Sequence, residues 1–204
     1  MPDVLMICAM GFEAAALPGK YRVAVSGVGF QQAGTSAAEA IQRYRPDLVI
    51  SVGTCGALDP AMEVGQVFYA SRILSTVGQF DCVALEGKGV VLYSQDRVAT
   101  TVADKQALRA KGAAMVDMES AVIARECAKA GIRFGALKAV SDLADEDLPL
   151  DFNRYRRADG SFKNTQIAIA GMLKIPSLMR LQRQAKLASR RLGEAIEIAI
   201  ANVS

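Results

Sequence analysis

Short runs of apolar, β-branched residues alternate along this chain with longer segments whose apolar residues recur at helical spacing. Such alternation predicts a central, largely parallel sheet covered by helices, because each strand must bury its faces against neighbouring elements. The predicted strands are Val4–Ala9, Arg22–Ser26, Leu48–Val52, Val67–Ser71, Val90–Leu92 and Phe134–Val140. The predicted helices are Gln32–Tyr44, Val102–Ala110, Glu119–Ala130 and roughly Ser177–Asn202.

Length and composition predict one globular domain. The chain has 204 residues, a size typical of a single domain, and we find neither a repeat nor a long linker that would divide it. The apolar start Val4–Ala9 is too short for a membrane helix, is flanked by Asp3 and Glu13, and lacks the positive charge of a signal peptide. We therefore expect residues 1–204 to form one cytoplasmic domain.

The charge distribution is uneven. From Arg154 to Arg191 the chain carries ten basic residues and one acid, Asp159, although the whole chain has a net charge of only +3. Residues 154–204 are therefore predicted to form a basic C-terminal lobe with a helix. Its basic face is interpreted as solvated, or alternatively as attracted to an anionic membrane surface or an amphiphilic substrate. No nucleic-acid partner is expected.

The cysteines do not indicate a metal site. They show no CxxC spacing, and the chain has no histidine to complete a zinc site. Cys8 and Cys127 lie on apolar faces and are expected in the core, whereas Cys55 lies between glycines in a predicted loop and could be partly exposed. We expect neither a metal nor an organic cofactor.

Carboxylates follow predicted strand ends. Asp117 and Glu119 precede one helix, and Asp142 follows the almost wholly apolar strand Phe134–Val140. Ligands of open α/β sheets bind at the carboxyl ends of strands. Because the chain has no histidine, acid–base chemistry there must depend on carboxylates, other side chains or solvent. Glu13, four residues after the first strand, is a further candidate.

Two glycine-containing segments also follow strands. In Ser26-Gly27-Val28-Gly29 the glycines would allow backbone amides to approach an anion or a sugar, but Gly34 comes too late for the dinucleotide-binding spacing. The segment Gly53–Leu58 is interpreted as a tight loop that offers the hydroxyl of Thr54. Each segment alone is equally consistent with a simple turn.

Taken together, these segments occur in an order that resembles the nucleoside phosphorylase and nucleosidase superfamily. The resemblance extends over about residues 4–152 and is carried by Val4–Glu13, Ser26–Gly29, Gly53–Leu58, Asp117–Glu119 and Ser141–Asp142. The methylthioadenosine/S-adenosylhomocysteine nucleosidases are the most similar group. The resemblance implies a phosphorylase-type, three-layer α/β/α domain with a central, twisted, mixed sheet. It also implies cleavage of the N-glycosidic bond of a purine nucleoside, with adenine as the expected base.

The resemblance implies a role for each matched residue. Asp142 would donate a proton to purine N7, and Glu13 would position and activate the attacking water. Met118 and Glu119 would hold the ribose, and Phe152 would cover the sugar or its 5′ substituent. Such roles suit an oxocarbenium-like transition state, and an apolar strand end would raise the pKa of Asp142 by desolvation. The remaining candidate substrate-binding residues are Asp117, Thr54, Gly27, Gly29, Ser141 and Val98.

Several positions depart from the family pattern. Val98 stands where an aromatic residue usually stacks on the purine, and Asp117 replaces the first glutamate of a Glu-Met-Glu signature. Ser51 stands where the hexameric phosphorylases have an arginine, and their histidine from a neighbouring subunit has no counterpart here. Arg97 is a candidate replacement for that arginine. These departures favour water over inorganic phosphate as the nucleophile, although phosphate stays open as a co-substrate.

A narrower resemblance favours phosphate. Asp117–Ser120, Ser141–Asp142, Leu148-Pro149 and Asp159-Gly160 before an apolar and basic tail resemble the hopanoid-biosynthesis-associated phosphorylases. This resemblance implies phosphorolysis of a lipid-linked adenosine such as adenosylhopane. The second alternative is a non-catalytic nucleoside-binding protein. The superfamily resemblance also implies a homo-oligomer.

Overall fold

An eight-stranded mixed sheet organises the described part of the chain, which comprises residues 2–157, 166, 175–201 and 203 of this computed structural model. The strands are β1 (Val4–Cys8), β2 (Arg22–Val25), β3 (Leu48–Ala57), β4 (Val67–Ser75), β5 (Gly78–Asp81), β6 (Gly89–Ser94), β7 (Met115–Asp117) and β8 (Arg133–Asp142). The helices are α1 (Gly11–Ala14), α2 (Phe30–Tyr44), α3 (Val102–Arg109), α4 (Ser120–Ala130) and α5 (Ile175–Ile200), with a short 3-10 helix at Phe152–Tyr155.

Local signals explain where two helices begin and end. The hydroxyl of Thr101 accepts a hydrogen bond from the amide of Asp104, and the Asp104 carboxylate accepts from the Thr101 amide in return, so α3 begins with a capping box. Helix α4 ends at Gly131, which adopts a left-handed conformation with φ 68°. Glycine reaches that conformation without steric cost, which makes it a common helix stop.

Strand β3 holds the centre of the sheet. It pairs in parallel with β1 and along its whole length with β8, and its last residues pair antiparallel with β7. Strand β7 runs parallel to β6, β6 parallel to β4, and β4 antiparallel to β8. Strands β3, β7, β6, β4 and β8 therefore form a closed circuit, and β1 with β2 extends the sheet on one side.

Helices cover the sheet on both faces. Helices α2 and α4 pack together over one face, where Leu5, Val49 and Ala136 belong to the larger core cluster. Helix α5 covers the other face with Ala188, Leu192, Ile196 and Ala199, and it approaches α1 so closely that the position of a Cβ on Gly193 is 2.1 Å from the Ala16 carbonyl oxygen. The arrangement confirms the predicted three-layer α/β/α architecture with a mixed sheet.

The predicted loop at Gly53–Leu58 is wrong for most of its length. Residues 53–57 continue strand β3, whose backbone pairs with β8 on one side and β7 on the other. Cys55 is consequently buried and not partly exposed. The glycines suggested a loop, but pairing on both edges outweighs their weak strand preference. The predicted elements also omit α1, β5 and β7, because three or four residues give no measurable periodicity.

The C-terminal helix was predicted within two residues at each end. Its basic residues Arg183, Lys186, Arg190 and Arg191 are exposed, so this face is solvated in the chain. The predicted basic lobe begins inside the 3-10 helix, and its residues 158–165 and 167–174 lie outside the described part. Among the described residues, no helix is both long enough and apolar enough to cross a membrane.

Candidate active site

Glu13, Glu119 and Asp142 surround one cavity of about 180 Å³ at the end of β3. Asp117, Met118, Thr54, Ser141 and Val98 line the same cavity. Strands β1 and β8 deliver Glu13 and Asp142 by running parallel to β3, as expected for a sheet edge. Strand β7 runs antiparallel to β3, and it brings Asp117 and Glu119 to the same place because it pairs with the last residues of that strand.

Glu13 lies on the first turn of α1 and is almost completely buried. Its Oε1 accepts hydrogen bonds from the amide and hydroxyl of Thr54, at 2.9 and 3.0 Å, and its Oε2 accepts one from the amide of Met10 at 3.0 Å. Gly53 allows this approach, since a Cβ at that position would lie 3.0 Å from Glu13 Oε1. The carboxylate is therefore fixed in orientation beside the cavity.

Glu119 follows β7 and faces the loop before α2. Its Oε1 accepts a hydrogen bond of 2.9 Å from the amide of Gly29, which has a φ of 87°. Burial and the negative charge of Asp117 raise the pKa of Glu119 to about 8, although the Gly29 amide and Lys138 act in the opposite direction. Its surroundings therefore favour the protonated form of this carboxyl group more than water does.

Asp117 and Lys138 form a buried ion pair behind Glu119. Lys138 Nζ lies 2.9 Å from Asp117 Oδ2 and donates a hydrogen bond of 2.9 Å to Ser51 Oγ. Burial alone would lower the pKa of Lys138, but the carboxylates of Asp117, Glu119 and Glu13 outweigh burial and raise it. The pair therefore keeps a cation beside the acids of the cavity.

Asp142 ends strand β8 and is also buried. Its Oδ2 lies 2.7 Å from Lys105 Nζ, and its Oδ1 lies 2.9 Å from the hydroxyl of Ser141. Burial raises the pKa of Asp142, although Lys105 and Ser141 oppose the rise. The direction agrees with the expectation that desolvation at an apolar strand end favours the protonated form of this group.

Three candidate residues lie outside the cavity lining. Gly27 and Gly29 flank Val28, which lines the cavity, and both adopt positive φ values of 79° and 87°. Phe152 begins the 3-10 helix and is not among the described residues that line the cavity. The next residue, Asn153, hydrogen-bonds the amide and carbonyl of Val98 at 2.9 and 3.0 Å. The segment of Phe152 is thus tied to the cavity wall at Val98.

Sequence reasoning missed Lys138 and Lys105. Lys138 carried a usable signal, because a single lysine inside a buried apolar strand must have a charged or polar partner. Lys105 carried none, since Asp104-Lys105-Gln106 has the composition of an exposed helical surface. Arg97 was considered as an anion ligand; it does line the cavity, and its guanidinium is paired with Asp104 at 3.2 Å.

Comparison with known proteins places this site in a family. A sequence profile of the phosphorylase superfamily matches residues 16–85 and 83–170. This chain belongs to the phosphorylase superfamily. A 5′-methylthioadenosine/S-adenosylhomocysteine nucleosidase of Staphylococcus aureus is 26% identical over 182 residues, which cover 72% of this chain and 80% of the relative.

Solved structures of this superfamily share the fold. A mutant of the corresponding Helicobacter pylori nucleosidase, with 5′-methylthioadenosine in its active site, superposes with a TM-score of 0.72 at 15% identity, covering 97% of each chain. The futalosine hydrolase of the same organism superposes with a TM-score of 0.73 at 14% identity, covering 98% of this chain and 97% of that one.

In the described part of the chain, the basic lobe approaches the candidate active site at Arg156 and at Arg180. Arg156 forms an ion pair of 2.6 Å with Asp96, and its guanidinium lies where a Cβ on Gly29 would be, next to the amide that binds Glu119. Arg180, near the start of α5, forms an ion pair with Glu146, four residues beyond Asp142. Residues 167–174 of this lobe lie outside the described residues. Membrane-surface contact, the homo-oligomer and the narrower resemblance to the hopanoid-associated phosphorylases therefore stay predictions.

The raised pKa of Glu119 predicts a pH-dependent stability difference. The folded state holds the proton up to about pH 8, whereas the unfolded chain releases it near 4.5, so the stabilisation from this group is complete below pH 4.5 and disappears as pH rises through 8. When the pH is raised from 5 to 8.5, the melting temperature of Glu119→Gln should therefore rise relative to that of the original chain. Glu39→Gln, at an exposed acid of α2, is the control for loss of one charge. The same difference in melting temperature between Glu119→Gln and the original chain at pH 5 and at pH 8.5 would contradict this prediction.

Proposed function

We propose that this protein hydrolyses the N-glycosidic bond of an adenine nucleoside, with methylthioadenosine as the first candidate, and releases free adenine. The observation that carries the proposal is the convergence of Glu13, Glu119 and Asp142 on one cavity. Nucleosidases named for methylthioadenosine among the relatives support the choice of substrate. Cleavage of such a bond needs a proton donor for the leaving base and groups that stabilise an oxocarbenium-like sugar.

Asp142 is the proposed general acid. Its buried position raises its pKa, which is the direction that a general acid acting near neutral pH requires. Transfer of that proton to N7 of the purine would let the base leave as a neutral molecule. Glu119 and Met118 are proposed to hold the ribose. A protonated Glu119 can donate to one ribose hydroxyl while its other oxygen accepts from the second.

Glu13 is proposed to activate a water molecule. A recess of about 10 Å³ opens beside it, lined among others by Thr54, Glu119 and Lys138. One water molecule needs about this much space, whereas a phosphate ion is far larger. Phosphate would also meet the negative charge of Glu13, at a cost on the order of 4 kcal/mol per unit of charge at 4 Å. The recess therefore favours hydrolysis over phosphorolysis.

Incubation with methylthioadenosine, adenosine and inosine, each with and without phosphate, tests the reaction. We expect adenine and methylthioribose from methylthioadenosine at a rate that phosphate does not change. Inosine should react more slowly if the site selects adenine. Release of no base from any of these nucleosides, or an absolute requirement for phosphate, would refute hydrolysis as proposed.

Asp142→Asn tests the proton donor. The variant keeps the size of the side chain but removes the acid, so kcat should fall by about 10²–10⁴, the usual contribution of general acid catalysis. The KM for methylthioadenosine should change far less. Asp145→Asn, at an exposed acid of the same loop, is the matched control and should retain full activity. Equal kcat values for Asp142→Asn and the original chain would assign the proton to another group.

A further inference from the structure

Lys105 is a buried lysine with no place in the proposed reaction. It lies on α3, is 1% exposed and does not line the cavity, so it cannot be explained as a substrate ligand. An unpaired ammonium group in such a position would be strongly destabilising. Its Nζ is instead 2.7 Å from Oδ2 of Asp142.

The ammonium group of Lys105 is fully engaged. In addition to Asp142, it donates hydrogen bonds to the carbonyl oxygen of Leu143 and, at 3.1 Å, to that of Glu146. These acceptors match the three N–H donors of an ammonium group. Lys105 therefore bridges Asp142 and the loop that follows β8, and its position is fixed by three contacts.

This arrangement makes the two oxygens of Asp142 unequal. Oδ2 accepts from Lys105, whereas Oδ1 faces the hydroxyl of Ser141, which also lies 3.1 Å from the carbonyl oxygen of Cys55. A hydroxyl has a single proton, and a carbonyl oxygen can only accept. While Asp142 is ionised, Ser141 donates to Oδ1. When Asp142 is protonated, Lys105 still occupies Oδ2, so the proton is carried by Oδ1 and the Ser141 hydroxyl donates to the Cys55 carbonyl oxygen instead.

We propose that Lys105 is a positioning residue for Asp142: it holds Oδ2, leaves Oδ1 as the proton-bearing atom, and fixes the carboxyl group relative to the cavity. This proposal rests on the proposed function only in taking Asp142 as the acid. It adds Lys105 of helix α3, which lies outside the cavity lining, as a residue on which the orientation and the ionisation of Asp142 depend.

Charged groups of opposite sign face Asp142. Lys105 approaches from α3, and Glu146 approaches from the loop after β8, where its side chain accepts a hydrogen bond from the amide of Leu143 at 3.2 Å and pairs with Arg180 of α5. From β3, the backbone of Gly56 is adjacent, and a Cβ there would lie 3.0 Å from Asp142 Oδ2; the buried thiol of Cys55 on the same strand is close enough for the charge of Asp142 to raise its pKa. Lys105 stabilises the ionised carboxylate, and Glu146 opposes ionisation.

Carboxyl ¹³C NMR of the full chain labelled on aspartate measures this effect without any reaction. Lys105→Met should move the titration midpoint of Asp142 upward by about one pH unit or more, the effect expected when an adjacent opposite charge is lost. Glu146→Gln should move it downward. The signal is assigned by its disappearance in Asp142→Asn. Lys111→Met, at an exposed lysine beyond the end of α3, should leave the midpoint unchanged.

The pH profile of methylthioadenosine cleavage gives the second measurement. Because the protonated acid is required, the alkaline limb of kcat/KM should move to higher pH in Lys105→Met, while kcat on the plateau falls by about ten- to a hundredfold through misplacement of the acid. Lys105→Gln, which retains donors for the two loop carbonyls, is the second variant if Lys105→Met does not fold.

The two proposals fail in different ways. An unchanged Asp142 midpoint in folded Lys105 variants, with a lowered melting temperature as the sole effect, would reduce Lys105 to a structural role. A shifted midpoint in a protein that cleaves no nucleoside would instead support the Lys105 proposal and remove the proposed function.

Discussion

Convergence of four carboxyl groups at the end of strand β3, three of them buried and that of Glu119 partly exposed, is the constraint on which the rest of this structure depends. Asp117 is compensated by Lys138 and Asp142 by Lys105, so two of the acids are members of buried ion pairs. Glu13 is instead held by hydrogen-bond donors of Thr54 and Met10. Glu119 accepts hydrogen bonds from two backbone amides, those of Gly29 and Met118, beside a charged neighbour, and its pKa rises to about 8. Removing one partner of such a buried pair leaves an uncompensated charge, which is far more costly than losing a surface pair.

Strand β3 provides the space that these groups require. Its two glycines at the cavity, Gly53 and Gly56, lie against the carboxylates of Glu13 and Asp142, where any Cβ would approach an oxygen to 3.0 Å. The strand remains regular enough to pair with β8 along its length, with one irregularity between Cys55 and Gly56. The regular backbone of the sheet therefore lies directly beside the carboxylates, which are not held in flexible loops. In the proposed function, a site without histidine gains its proton donor from burial in this frame.

The sequence predicts a large part of this arrangement, and the failures have physical causes. Apolar runs ending in acids correctly indicated that Glu13, Glu119 and Asp142 would meet, and the helical spacing gave α2, α4 and α5 closely. The glycines at 53 and 56 were misinterpreted as a loop, because their proximity to carboxylates from other elements is not visible in the local pattern. Lys105 could not be found, since its burial results from the packing of α3 against the loop after β8.

Reaction of methylthioadenosine in H₂¹⁸O with phosphate present, followed by mass spectrometry of the sugar, tests the central claim most directly. The central claim is that acids at one cavity cleave the glycosidic bond with a water molecule bound beside Glu13. It predicts one equivalent of adenine and one ¹⁸O atom in the methylthioribose formed under single-turnover conditions. A sugar phosphate without ¹⁸O at the anomeric carbon, or no adenine at all, would contradict it.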